Sequence, residues 1–183
     1  HDLDTLYFAA RTAERHSAEA RRLKFVEVVD TLARSVTIEM DLRLEAAAIA
    51  EMRDNVKDDP DFRVPAVDWD RTARDVLTLE WIDATPLSDR AALEAGGLDF
   101  KRLARAVIQT FLRHALRDGF FHADMHPGNL FVDDAGELVA VDFGIMGRLG
   151  PKERRFLAEI LYGFISRDYH RTAEVHFEAG YVP

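Results

Sequence analysis

The chain reads Phe120-Phe-His-Ala-Asp124-Met-His-Pro-Gly-Asn129-Leu-Phe-Val132, then Asp133-Asp-Ala-Gly136, then Leu138-Val-Ala-Val-Asp142-Phe-Gly144. This stretch decides the fold. Asn129 follows Asp124 by five positions, and Asp142 follows Asn129 by thirteen. Pro127-Gly128 makes the segment around Asp124 a loop. Residues 130–132 and 138–141 read as short strands rich in β-formers, with a reversal at Asp133-Asp134-Ala135-Gly136. A hairpin in that register delivers Asp142 beside Asn129. Taken singly, Asp124 is a turn residue capping its own loop and Asp142 a strand-end Asp next to a Gly. Those plain readings fit each position and fit poorly when loop, hairpin and Asp-Phe-Gly occur in register.

The arrangement is that of a protein-kinase-like phosphotransfer site. In it Asp124 faces the hydroxyl that attacks, and Asn129 and Asp142 hold Mg²⁺ on the phosphates of ATP. The residue types suit the chemistry. Phosphoryl transfer needs charge neutralisation and accurate positioning more than covalent help, so two oxygen ligands and one carboxylate cover much of it.

The bulk properties exclude several alternatives. The 183 residues, 48% of them hydrophobic, are enough for one domain with a core. A net charge of −9 and a pI near 5.2 argue against a nucleic-acid surface, which wants a basic face. With no cysteine, disulfides and thiolate metal sites are ruled out, which suits a reducing compartment. No stretch reaches the roughly 18 apolar residues of a membrane span. The chain opens His1-Asp2-Leu3 without a Met and closes Gly180-Tyr-Val-Pro183, and we expect a piece of a longer protein.

Along the chain, residues 2–17 read as a helix, and about 24–57 as one or two long helices with Val28, Leu32, Val36, Met40, Leu44 and Ala48 spaced four apart. Pro60 ends this run. Extended segments follow at 64–67 and 75–82, the second stopped by Pro86. Ser88-Asp89 starts a helix that Gly96-Gly97 stops. Asp99 caps a helix over about 100–118, with Leu103, Ala104, Val107, Ile108, Phe111 and Leu112 as its buried face, closed by Gly119. After the hairpin, Pro151 fits the first turn of a helix to about 166, and a last helix covers about 168–179. The expected class is α+β: a mostly helical larger lobe over 88–183 and a remnant of a smaller lobe over 1–87.

A second constellation lies on the long helical run: Glu39, Asp41 and Glu45. By composition it is a solvated face, and Asp41 and Glu45, one turn apart, repel mildly unless a cation sits between them. However, Glu39-Met-Asp41-Leu-Arg-Leu-Glu45, Leu79-Glu80-Trp81-Ile82, His122-Ala-Asp124-Met-His-Pro-Gly-Asn129 and Val141-Asp142-Phe-Gly144 together resemble the UbiB family, atypical kinase-like proteins tied to ubiquinone (coenzyme Q) biosynthesis. The resemblance covers nearly the whole chain. It implies a kinase-like fold that binds ATP with Mg²⁺, works at membranes from the cytoplasmic side, meets lipid or ubiquinone-biosynthesis proteins, and behaves more as an ATPase than as a protein kinase. It makes Glu45 the helix acid that pairs with a strand lysine. Glu39 and Asp41 become the Glu-x-Asp pair that meets a family-specific segment near the nucleotide, and Leu79 the gatekeeper. Glu80 to Ile82 become the hinge whose backbone meets adenine, Asp124 the catalytic-loop acid, and Asn129 and Asp142 the metal ligands.

The chain departs from the family pattern in places. Met125 stands where many relatives have Pro. No Gly- or Ala-rich nucleotide loop, Val-Ala-x-Lys strand or Lys-x-Gly-Gln motif occurs, and Lys24 and Lys57, in helical or turn contexts, do not replace the strand lysine. The chain on its own is therefore expected to have little or no turnover. Three rivals stand beside this reading: an aminoglycoside- or choline-type phosphotransferase, whose loop is similar but is usually followed by Ile-Asp-Trp; a hydrolase with a metal on His122, Asp124 and His126; and a pseudokinase-like scaffold that holds nucleotide without turnover.

Overall fold

The computed structural model describes residues 2–182, and all of their side chains except those of Ile38 and Glu39. The helices begin and end where local chemistry places them. Helix α1 (Asp2–His16) carries acids in its first turn and Arg15 and His16 in its last, matching the helix dipole. Ser17 caps α2 (Ala18–Leu23) by accepting the Ala20 N–H, and Lys24 ends it in a left-handed conformation. Helix α3 (Phe25–Glu39) returns along α1, joined by Tyr7 Oη donating to Asp30 (2.7 Å) and by the Val26 N–H donating to Glu14 (3.0 Å). Helix α4 (Leu42–Val56) starts afresh at the Asp41 cap.

That restart corrects the stripe expected at four-residue spacing. Val28, Leu32, Met40 and Leu44 are exposed, and of the six positions only Ala48 packs against the core. A strict four-residue repeat drifts by about 40° per step on a helix of 3.6 residues per turn, so it winds off any one face. Helix α4 instead buries Ala46, Ile49, Met52 and Val56.

A four-stranded sheet, in the order β1-β5-β4-β2, receives this face. It consists of β1 (Phe62–Arg63), β2 (Thr85–Pro86), β4 (Leu130–Val132) and β5 (Leu138–Ala140). The β4–β5 hairpin is at its centre, antiparallel, with Phe131 opposite Val139; β1 runs parallel to β5. Pro86 lies inside edge strand β2 rather than ending a strand before it, a position where its missing N–H is harmless. The strand expected over 75–82 is reduced to single bridges, Val67 with Leu79 and Ala73 with Val76. The 3₁₀ turn Trp69–Arg71 folds the chain tightly, and Thr72 Oγ1 takes the Thr78 N–H, which leaves only the 66–68 and 78–80 backbones in reach of each other. Phe62, Leu103, Phe120, Leu130, Leu138 and Phe143 fill the core around Ile49 and Met52.

Asp89 and Asp99 cap α5 (Arg90–Ala95) and α6 (Phe100–Arg113). The face α6 buries is rotated from the expected one. Leu103 and Thr110 are buried, Ala106 and Val107 touch the core, and Ala104 and Ile108 are exposed. Two polar residues, Thr110 and His114, sit on the inner face, so an apolar pattern could not have located it. The helix then widens into a π turn, His114–Asp118, and Gly119 ends it at φ +65. A Cβ on Gly119 would lie 2.3 Å from the Leu149 carbonyl oxygen, which requires glycine there. Strand β3 (Phe120–His122) pairs antiparallel with β6 (Met146–Arg148). Helices α7 (Pro151–Ser166), with Pro151 in its first turn, and α8 (Tyr169–Glu178), capped by Asp168, pack as a hairpin.

The C-terminal end of α4 is pinned to the π turn by a charged network. Asp59, its side chain 5% exposed, accepts from Arg117 and His114, with Arg113 3.6 Å away. Arg117 also donates to the Asn55 carbonyl at 3.0 Å. Burial pushes the Asp59 carboxyl up, but Arg117, Arg113 and His114 outweigh it and hold the carboxyl below its ordinary value. Burial lowers the His114 imidazole, and the Asp59 contact only partly offsets this. Both groups bind protons more readily in the unfolded chain, so acid favours unfolding. The His114 contribution is complete above the unfolded-histidine value of about 6.5 and is lost as pH falls through the lower folded value; the Asp59 contribution is lost further down, below about pH 4. The urea midpoint should therefore fall between pH 7.5 and 5, and His114→Gln should flatten that slope. An unchanged slope in the variant would show that His114 does not set it.

Candidate active site

Strand β3 ends on His122, which is 1% exposed and uses both ring nitrogens. Nδ1 accepts the Asp124 N–H at 3.1 Å, so the ring proton is on Nε2, which faces the Val141 carbonyl at 3.4 Å. The ring also lies 5.3 Å from that of Phe143. His122 thus ties the start of the loop to the end of the hairpin.

The loop holds itself by short-range bonds. His126 N–H donates to the Asp124 carbonyl (2.9 Å), Asn129 N–H to the His126 carbonyl (3.0 Å), and Gly128 N–H to His126 Nδ1 (3.0 Å). Asn129, 8% exposed, directs its amide Nδ2 to the Asp124 carbonyl at 3.2 Å and to Asp124 Oδ2 at 3.4 Å. Its backbone carbonyl accepts the Val141 N–H at 2.9 Å, which sets Asp142 in place one residue later. Asp142 adopts φ 62, a left-handed conformation that Asp tolerates better than most residues, and its Oδ1 accepts the Gly144 N–H at 3.2 Å. From across the cleft, Glu45 Oε1 accepts the Phe143 N–H at 2.9 Å. Asp124, Asn129, Asp142 and Glu45 are thereby joined through direct or neighbouring backbone bonds.

The donor set fits a hard cation. Asn129 uses its N–H group on Asp124, which leaves Oδ1 as its free end, and Asp142 uses Oδ1 on Gly144, which leaves Oδ2. Both are oxygens, as Mg²⁺ prefers. The arrangement does not fit a metal on His122, Asp124 and His126, because both His122 nitrogens are engaged. Among the described residues no three His, Cys, Asp or Glu side chains gather as a ligand cluster.

The remaining expected site residues are placed differently from one another. Asp41 caps α4 and is gripped by Arg43 through Nε (2.8 Å) and Nη2 (2.7 Å). The Arg43 hydrogen bonds, against a smaller effect of burial, hold its carboxyl down at about 2. It is a partnered cap lying before the helix, and it does not form a like-charge pair with Glu45 along one helix face. The side chain of Glu39 lies outside the described residues. Glu80 pins its own segment: its N–H donates to the Ala66 carbonyl, and its carboxylate accepts from the Ala66 N–H (3.0 Å) and Arg63 (2.8 Å). These bonds, with the Ala66 N–H first, hold its carboxyl below the ordinary value. Among the described residues, the Glu80 carbonyl and both backbone groups of Ile82 have no hydrogen-bond partner.

Between α4 and the Asp-Phe-Gly strand lies an open cleft of about 760 Å³, bordered by Leu44, Glu45, Ala48, Phe143, Ile145 and Met146. His126, considered above only as a ligand of a hydrolase metal, has its Nε2 3.7 Å from Asp124 Oδ2. Sequence reasoning missed Arg148, which borders this cleft and grips Glu51. No local pattern could have paired residues 97 positions apart.

Comparison with known proteins agrees with this geometry. Residues 1–176 match the model of the ABC1 atypical kinase-like domain. Over 186 aligned positions the chain is 40% identical to a probable protein kinase UbiB of Marinobacter nauticus and 42% identical to one of Azotobacter vinelandii. These alignments cover 100% of this chain and 34% and 35% of those proteins, so the chain spans about a third of the length of the curated relatives it matches. Among solved structures, the complex of Rv3197 with erythromycin from Mycobacterium tuberculosis superposes with a TM-score of 0.63 at 26% identity, over 97% of this chain and 46% of that one.

His122→Phe keeps a ring against Phe143 but leaves the Asp124 N–H and the Val141 carbonyl without their partner. An unpaired buried group costs about 1–3 kcal/mol, so the variant should lose roughly that much in a urea titration. The amide of Asp124 should exchange faster with solvent. An unchanged Asp124 exchange rate would show that the ring only fills space.

Proposed function

The chain belongs to the ABC1 family of atypical kinase-like proteins, and we propose that in it Asp124, Asn129 and Asp142 form the phosphate end of an ATP- and Mg²⁺-dependent kinase or ATPase site that serves ubiquinone biosynthesis. The observation that carries the reading is the closure of the hairpin on Asn129. It bonds the Val141 N–H, one residue before Asp142, to the Asn129 carbonyl, while the Asn129 side-chain amide reaches the half-exposed Asp124.

In this reading Asp124 accepts the proton of the attacking hydroxyl or water while the new O–P bond forms and the bond to the nucleotide diphosphate breaks. Asn129 does two jobs: its amide N–H orients Asp124, and Oδ1 together with Asp142 Oδ2 holds the cation. Bound Mg²⁺ supplies neutralisation of the phosphate charge. Glu45 fixes the Asp142–Phe143 peptide. The unpaired backbone of Glu80 and Ile82 offers a carbonyl acceptor and an N–H donor to the edge of an adenine. Family membership supports the link to ubiquinone biosynthesis through relatives called UbiB. It also motivates lipid or ubiquinone-biosynthesis proteins as partners and a membrane-peripheral setting for the whole protein. No described helix is long and apolar enough to cross a membrane.

Asp142→Asn should weaken Mg-ATP binding, measured by calorimetry, by roughly tenfold or more (about 1.4 kcal/mol per tenfold), with an unchanged urea midpoint. Undiminished affinity would overturn the assignment of Asp142.

The chain alone should turn ATP over slowly, because among the described residues no lysine pairs with Glu45: Lys24 pairs with Glu27, and Glu45 is engaged by the Phe143 amide. Loss of one such preorganised charge typically costs about 10² to 10³ in rate. An ATPase assay of the 183-residue chain beside a longer family protein that carries the strand lysine tests this. Comparable turnover would show that lysine to be dispensable, and absence of turnover from both would favour a nucleotide-holding scaffold.

A further inference from the structure

We infer that Arg148 is a positioning residue for the metal-binding loop: by clamping β6 to α4 through Glu51, it keeps Glu45 on the Phe143 amide. The inference rests on the proposed function only in assigning Asp142 to the cation.

The clamp is a fork-to-fork pair. Arg148 Nη1 donates to Glu51 Oε1 at 2.7 Å, and Nη2 donates to Glu51 Oε2. The guanidinium also lies over the Phe120 ring, 4.2 Å from its centre, and Phe120 is 3% exposed in the core. One face of the cation is therefore covered by a fixed ring and one edge by a carboxylate, which restricts the side chain far more than an ordinary surface arginine. A lysine could make neither the planar stack nor the paired bonds. Arg148's hydrogen bonds hold the Glu51 carboxyl below its ordinary value, so the pair stays charged at neutral pH.

The consequence follows from where the two contacts fall. Glu45 and Glu51 are six residues apart on α4, about 9 Å along its axis at 1.5 Å per residue. Their partners, the Phe143 N–H and the Arg148 side chain, are five residues apart on one short segment. A single contact would let the helix pivot; two contacts on a rigid helix fix its angle and its distance. Packing at this edge is incomplete: Ala48 and Met146 touch the core, but together with Leu44 and Ile145 they border an open cleft. The N–H that Glu45 holds belongs to the peptide whose carbonyl is that of Asp142. A swing of α4 away from β6 would therefore release the peptide plane that orients Asp142.

The Arg148 side chain is 65% exposed and that of Glu51 40%. Pairs this exposed add little to global stability. The expected signature is accordingly local. In the 183-residue chain, backbone amide exchange followed by NMR should show Phe143 exchanging roughly three- to tenfold faster in Glu51→Gln and in Arg148→Lys. Leu138 and Val141, whose amides donate to Asp61 and Asn129, should keep their rates. The reciprocal double variant, Glu51→Arg with Arg148→Glu, should recover most of the Phe143 protection, which a merely structural loss would not. Unchanged Phe143 exchange in both single variants would overturn the inference. So would equal acceleration of Leu138 and Val141, or a double variant no better than the singles. Because no metal or nucleotide is present in this measurement, its failure leaves the phosphate-site assignment untouched, and failure of Asp142→Asn to weaken Mg-ATP binding leaves the clamp untouched.

Discussion

The hydrogen bond from the Val141 N–H to the Asn129 carbonyl closes the β4–β5 ladder, and the site depends on it. Leu130 and Val132 on one strand and Leu138, Val139 and Ala140 on the other are buried at the centre of the sheet, flanked by β2 and β1. Side chains alternate along a strand, so slipping the ladder by one residue would turn Leu130 and Val132 out of the core and Asp142 away from the loop. The cost of that slip lies in the core. The precision of the candidate site is thus inherited from hydrophobic register, and the polar residues refine a placement already made.

Around this hairpin the charged groups divide into those already satisfied and those left open. Arg43 grips Asp41, Arg117 and His114 hold Asp59, and Arg63 with the Ala66 amide holds Glu80. Glu45 gives one oxygen to the Phe143 amide, a neutral donor. Among the described residues, the Asp142 side chain has the Gly144 amide alone, and Asp124 has Asn129 and a histidine at 3.7 Å. In a chain of net charge −9, the three acids that converge on this hairpin, Glu45, Asp124 and Asp142, have no Lys or Arg bonded to them among the described residues. That is the electrostatic setting in which a divalent ion on a phosphate contributes most, since it supplies the positive charge the protein withholds.

The parts of this fold that were legible in the sequence are those fixed over short spans. Asp89 and Asp99 cap the helices they precede, Pro151 opens α7, and the hairpin turns where Asp133 to Gly136 said it would. Each depends on a few adjacent backbone groups. The misread parts depend on partners far along the chain. The four-residue stripe failed because Asp41 resets the phase between α3 and α4. The inner face of α6 escaped because Thr110 and His114 are polar, and His114 is tolerable there only because Asp59 waits 55 positions away. The segment over 75–82 has the composition of a strand, but two isolated bridges are all that its fold-back permits. In the candidate site, the return of the hairpin to Asn129 was readable from spacing, and a His122 that orients the loop by hydrogen bonds was its plain reading, whereas the Arg148–Glu51 pair needed the structure.

These long-range partners share one element. Helix α4 is held at its start by the Asp41 cap and by the Leu42 N–H on the Arg74 carbonyl. It is held at its end by Arg117 on the Asn55 carbonyl and on Asp59. Its buried side is set by Ile49, Met52 and Val56, which lock rotation about the core; Glu45 lies on that side one turn before Ile49, Glu51 about a third of a turn round from it, and both reach the segment that follows Asp142. Apolar packing is non-directional and cannot by itself fix where a peptide plane points. Hydrogen bonds can, and on α4 they stand where the helix meets the segment that carries Asp142. The division follows from the physics of each interaction: burial decides that the helix lies on the sheet, and a few directional contacts at its open edge decide where the Asp142 peptide is aimed.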